Sequence, residues 1–179
     1  LYQIINYGFK NYFNNTLNKP NGICFSMDDM VVTQKKNKCI SLFENKSPYR
    51  KIKNIHKINN QRFGNLGNIS FFNKCFYICD ENKNTIWILD DKFNLIDTLS
   101  KDNLQILDFY PFSCCKINNQ LVGVCSRRFF FIIDIIEKKH IYKSDKLGEL
   151  HSISYNQNNE QLIICDRSNS LIKIYKIID

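Results

Sequence analysis

Eight cysteines, three histidines and a surplus of basic residues are the side chains in this 179-residue chain with chemistry to offer. Cys75 and Cys79 are four apart, on one face of a strand, and Cys114–Cys115 are a further pair of thiols. A zinc site wants closely spaced ligand pairs. No Cys-x-x-Cys occurs, and His56, His140 and His151 are scattered, so spacing argues against zinc without closing the matter. Cys165 with His151 leaves a thiol nucleophile open on the same terms. The six glycines are dispersed, so no glycine-rich loop cradles a phosphate. Charge remains. Lys+Arg number 25 against 17 Asp+Glu, a net +8, and such a balance attracts polyanions.

These side chains must be positioned by strands. The chain contains no alanine, while Ile, Phe and Tyr abound. Ala is the best helix former, and β-branched and aromatic residues favour strands. Helix bundles, coiled coils and helical solenoids are therefore disfavoured. The longest apolar run, Phe129 to Ile133, is too short to cross a bilayer as a helix. The cysteines sit in apolar, strand-like runs, where Cys behaves as a small hydrophobe. That fits a reducing compartment, and the expected location is cytoplasmic.

Internal repetition organises the chain. Val31–Phe43, Tyr77–Leu89 and Ile163–Tyr175 superimpose, and Gly123–Ile133 is a looser, shorter version. Thr33, Cys79, Cys125 and Cys165 are equivalent, at spacings of 46, 46 and 40 residues. A thiol recurring at one repeat position reads as packing, which weakens the nucleophile reading of Cys165. Each unit runs as a short apolar strand, a polar turn, a continuous apolar strand, a polar turn and an alternating strand. A weaker fourth strand follows in Leu95–Leu99 and Lys139–Tyr142. Four short antiparallel strands at this period, with no helical segment between, predict β-propeller blades. The blades are expected at about 19–47, 65–100, 111–143 and 149–179, in one domain over 1–179.

The segments Asp80–Ile88, Asn37–Phe43 and Asp166–Tyr175, with the lead-in Leu17–Ile23, resemble the NHL repeat. Its core joins an acidic residue, an Asn-containing turn and an Ile-rich strand. The third repeat lacks the acidic residue and the Asn turn. The resemblance implies an all-β propeller of four NHL-like blades belonging to a six-bladed ring. Residues 1–18 would then supply the outer strand of a preceding blade and a connector. It also implies a non-catalytic binding module for a protein partner or single-stranded RNA. The nearest role is the recognition part of a tripartite-motif (TRIM-NHL) ubiquitin ligase, whose ligase chemistry would lie in a RING domain elsewhere.

In a propeller the turn between strands two and three shares one face with the connectors between blades. That face collects Lys35, Lys36, Lys38, Lys83, Arg127, Arg128 and Arg167. The connector after the first blade is expected to add Arg50 and Lys51, with Lys57 and Arg62. These basic residues are the candidate partner-binding set. Phe129, beside Arg127–Arg128, and Tyr49, beside Arg50, offer stacking surfaces for bases. Carboxylates such as Asp90, Asp91, Glu137 and Glu160 fall on the opposite face. The enzymatic alternative is a six-bladed lactonase or amidating lyase. Its metal needs carboxylates or amides on the innermost strands. Those strands offer Cys24, Ser70, Cys114, Cys115 and Ser154 instead. Catalysis, a cofactor, a small-molecule substrate and a membrane are accordingly not expected.

Overall fold

The computed structural model describes residues 17–26, 29–44 and 51–177. Four small antiparallel sheets follow one another along the chain. Blade 1 holds β1 (Pro20–Phe25), β2 (Asp29–Gln34), β3 (Cys39–Glu44) and β4 (Lys51–Ile55). A connector hairpin of β5 (Lys57–Ile58) and β6 (Gln61–Arg62) follows. Blade 2 holds β7 (Leu66–Phe72), β8 (Cys75–Asp80), β9 (Thr85–Asp90) and β10 (Leu95–Ser100). A single helical turn, α1 (Lys101–Leu104), stands in the next connector. Blade 3 holds β11 (Ser113–Lys116), β12 (Leu121–Cys125), β13 (Phe130–Asp134) and β14 (Lys139–Lys143). Blade 4 contributes β15 (Leu150–Asn156), β16 (Gln161–Asp166) and β17 (Leu171–Lys176). The sheets are arranged as a four-blade β-propeller. Blade 1 runs past position 47, because its fourth strand is Lys51–Ile55. The strand expected within Leu1–Tyr7 lies outside the described residues.

The register shows why the repeat folds this way. Thr33, Cys79, Cys125 and Cys165 pair with Ile40, Ile86, Phe130 and Ile172. The first three pairs point at the following blade. Val31, Ile40 and Leu42 of blade 1 pack on Ile69, Phe76 and Ile78 of blade 2. Tyr77, Cys79, Ile86 and Ile88 of blade 2 pack on Val122, Val124 and Phe131 of blade 3. Cys125 and Phe130 of blade 3 pack on Ile153, Leu162 and Ile164 of blade 4. Full burial of such a side chain stabilises by about 1.5–3 kcal/mol. Ile40 and Ile86 are 0% exposed, yet their equivalent Ile172 is 69% exposed and Ile174 59%. The downstream face of blade 4 is open.

The inner strands pack backbone to backbone. A Cβ on Gly22 would meet the Asn68 Cα and the Ile69 N at 2.8 Å, and one on Gly67 would meet the Phe112 carbonyl oxygen at 2.6 Å. Thr33 Oγ1 donates to the Gly67 carbonyl at 2.7 Å, and Ser70 Oγ to the Cys114 carbonyl at 2.8 Å.

One polar position recurs as a clamp. A polar residue at the end of each second strand is buried: Gln34, Asp80 and Asp166 are the last residues of theirs, and Ser126 directly follows β12. Each fastens the connector that enters its own blade. Gln34 Oε1 accepts from the Asn18 N–H at 2.6 Å, and Ser126 Oγ from the Tyr110 N–H at 2.7 Å. Asp80 accepts from the N–H groups of Gly64 (2.7 Å), Asn65 (3.0 Å) and Lys83 (3.2 Å), and from Trp87 Nε1 (3.3 Å). Asp166 accepts from the Gly148 N–H at 3.2 Å and the Asn169 side chain at 2.9 Å.

At the opposite end, Asp90 and Asp134 close the turns between strands three and four. Asp90 accepts from the Lys92 and Asn94 N–H groups, and Asp134 from those of Ile136 and Glu137. Three carboxyls are thus held below the usual Asp range. The foremost causes are the Asn169 amide for Asp166, the Glu137 N–H for Asp134 and the Asn94 amide for Asp90. A depressed folded value means the unfolded chain takes up protons first as pH falls. The resulting stability is present above about pH 4, the ordinary Asp value, and is lost as pH drops below it. Urea midpoints should therefore be level near neutrality and fall steeply in that acid range.

Candidate functional site

The second-to-third-strand turns and the connectors emerge at one end of the blades, the connector face. Three of these turns close on a left-handed residue: Lys38 (φ 48°), Asn84 (φ 51°) and Ser170 (φ 52°). The blade 3 turn lacks such a residue and carries Arg127–Arg128 in its place. Its backbone is fixed by the following connector, because the Leu147 and Leu150 N–H groups donate to the Arg128 and Arg127 carbonyls at 2.8 and 3.0 Å.

The blade 3 turn concentrates the site. Arg127 and Arg128 line a cleft of about 480 Å³ with Lys146, Glu149 and Ser168. On their other side they border a pocket of about 250 Å³ with Asp108, Tyr110 and Phe129. The Arg127 guanidinium lies 5.9 Å from the Tyr110 ring centre, and Lys143 Nζ 4.1 Å from that of Phe129. Tyr110 is 37% exposed, so a cation and an accessible ring sit side by side.

Glu81 draws two blades together. It stands 4.0 Å from Lys35 Nζ of blade 1 and 4.0 Å from Arg127 of blade 3, and accepts from Asn65 Nδ2 at 2.7 Å. Such exposed pairs contribute little energy, but they fix where the two cations stand. Lys38 lines a separate cleft, described below. Lys36, Lys83 and Arg167 are exposed on the same face without joining either group. Lys51 is elsewhere: it opens β4 opposite Phe43, at the far end of blade 1. Arg50 and Tyr49 lie outside the described residues. Tyr110, Lys143 and Lys146 did not emerge from the repeats. They flank or lie within connectors, and placing every connector on this face was the signal that could have found them.

The thiols are a packing set. All eight are free. Burial pushes Cys24 and Cys115 up to about 12, and raises Cys79 and Cys125 well above the ordinary thiol value. A protonated thiol is a poor nucleophile and metal ligand. Among the described residues no group of three His, Cys, Asp or Glu could hold a metal ion. An axial pocket of about 210 Å³ draws on all four blades, through Gly22, Asn68, Phe112 and His151 among others, and no carboxylate lines it. Only Cys165 is exposed. A thiol reagent at mildly alkaline pH should modify Cys165 alone in the folded protein and all eight in guanidinium; mass spectrometry counts the adducts.

The comparisons bear on the fold. The sequence matches no family model and no curated protein at a significant level. Among solved structures, the computationally designed Ika4 protein is similar, with a TM-score of 0.64 at 10% identity. The match covers 90% of this chain and 92% of that one. It is a likeness of fold alone. No helix among the described residues is long and apolar enough to cross a membrane.

Proposed function

We propose that this chain is a non-catalytic binding module whose connector face recognises single-stranded RNA. The observation that supports this reading is the blade 3 turn. Arg127 and Arg128 stand between two recesses, with the Tyr110 and Phe129 rings beside them. Phosphates seek such cations, and unpaired bases stack on such rings. A second reading is an acidic protein segment on the same loops. Glu81 and Glu149 favour it, because mixed charge suits a protein surface better than a phosphate chain. In the frame of the NHL resemblance, this face would be the recognition end of a tripartite-motif-type ubiquitin ligase, with its RING chemistry elsewhere. A ring of more than four blades, which the same resemblance implies, accords with the open face of blade 4.

The test is fluorescence anisotropy with a random single-stranded RNA pool at low and physiological salt. The comparison is a Lys35/Lys36/Arg127/Arg128→Glu variant whose folding is checked by circular dichroism. Salt-sensitive binding that the variant loses supports the proposal. A folded wild-type protein that binds no RNA at low salt refutes it.

A further inference from the structure

The hairpin of β5 and β6 sets two cations face to face. Lys57 pairs directly with Arg62 across a two-residue ladder. Like charges opposite one another destabilise a ladder. No ion pair to a carboxylate relieves Lys38, Lys57 or Arg62 among the described residues. These three line a cleft of about 670 Å³ with His56, Asn60 and Phe63, and no acidic residue lines it. It is larger than the Arg127–Arg128 cleft and free of its Glu149.

The two clefts are equivalent in the fold. Each lies between a blade's second-to-third-strand turn and the connector that leaves that blade: Lys38 with 56–63, and Arg127–Arg128 with 146–149. Between blades 2 and 3 that space is occupied differently. There α1 stands in the connector, and Leu104, Ile106 and Phe109 are buried in the core. Repetition has thus left two open basic clefts with a filled one between them.

We propose that the Lys38–Lys57–Arg62 cleft is a second anion site, and that one single-stranded RNA long enough to reach both clefts is held at two points. This rests on the RNA reading above. The two sites divide the work. The ring of Phe63 is buried edge-on against Trp87, 5.8 Å between centres, so the second cleft offers charge with the exposed His56 imidazole as its one accessible ring. It takes phosphates first, while the blade 3 turn sets two larger rings, Tyr110 and Phe129, beside its arginines.

Two-point attachment raises affinity only when the ligand spans both sites. The experiment measures anisotropy of an oligouridine length series with three proteins: wild type, Lys57→Glu/Arg62→Glu, and Arg128→Glu/Lys146→Glu. All these positions are exposed. Circular dichroism and a urea midpoint confirm folding; a separate single variant, Arg62→Glu, sets a carboxylate opposite Lys57 and should raise the midpoint, whereas the double reversal keeps like charges opposite one another. The expected result is a length threshold in the wild type, above which affinity climbs at least tenfold. Each variant should lose that climb and bind long oligomers about as it binds short ones. A Lys57→Glu/Arg62→Glu variant that keeps the full length dependence overturns the second site and leaves the RNA reading standing. A wild type that binds oligoglutamate and no RNA overturns both.

Discussion

Asp80→Ala is expected to destabilise the protein by about 3 kcal/mol, the largest stability effect of any single polar substitution here. The carboxylate is 0% exposed and accepts four hydrogen bonds, three from backbone N–H groups and one from the Trp87 indole. Truncation leaves four donors without this acceptor, the Gly64 N–H and the Trp87 indole in buried bonds and the Asn65 and Lys83 N–H groups in part-buried ones, at about 1–3 kcal/mol for each that water cannot reach. Water reaches the two part-buried donors, which sets the total near the lower end of the sum for the two buried ones. Asp80→Asn keeps one acceptor oxygen and should cost less. Urea unfolding followed by tryptophan fluorescence is well placed to read it, because Trp87, the sole tryptophan, is itself a donor to the clamp. Equal midpoints for wild type and the alanine variant would show that the clamp carries no stability.

Reversing both arginines of the blade 3 turn, Arg127→Glu/Arg128→Glu, is expected to weaken binding of single-stranded RNA about 100-fold at low salt, or roughly 2.7 kcal/mol. Two phosphate contacts are lost and two repulsive charges stand in their place. Each lost contact should also flatten the dependence of log K on log salt by about 0.7, so the slope should fall by about 1.4. Arg127→Lys/Arg128→Lys keeps the charge but surrenders the planar group beside Tyr110, and should lie between. Both side chains are exposed, so folding should be unaffected. An unchanged salt slope in the reversed variant would remove this turn from the interface.

The blades were legible because their grammar is hydrophobic. A strand buried on both faces, such as Cys75–Asp80, must be apolar almost throughout. The fourth strand of blade 1 was not. Lys51–Ile55 is an outermost strand, exposed over most of its length, and carries no apolar pattern to mark it. Missing it moved Lys51 to the wrong end of the blade. The helical turn α1 escaped for a similar reason. Its signal is a capping box between Ser100 and Asn103 rather than a periodic face. Asp80 and Asp166 were visible as acidic neighbours of Lys83 and Arg167, but their role as clamps depends on burial, which spacing alone does not reveal. The clefts were least legible. Each joins a turn to a connector some twenty residues further on, and only the fold brings Arg128 to Lys146 or Lys38 to Arg62.

The clamp has a consequence for how the chain folds. Each one closes a short loop: 16 residues from Asn18 to Gln34, 16 from Gly64 to Asp80, 16 from Tyr110 to Ser126 and 18 from Gly148 to Asp166. Within the sheets every ladder joins strands consecutive in the chain. Contact order is therefore low for an all-β protein, and the entropy lost in closing each loop is modest. Each blade can assemble as it leaves the ribosome, and each completed blade offers the next a finished surface on which to condense.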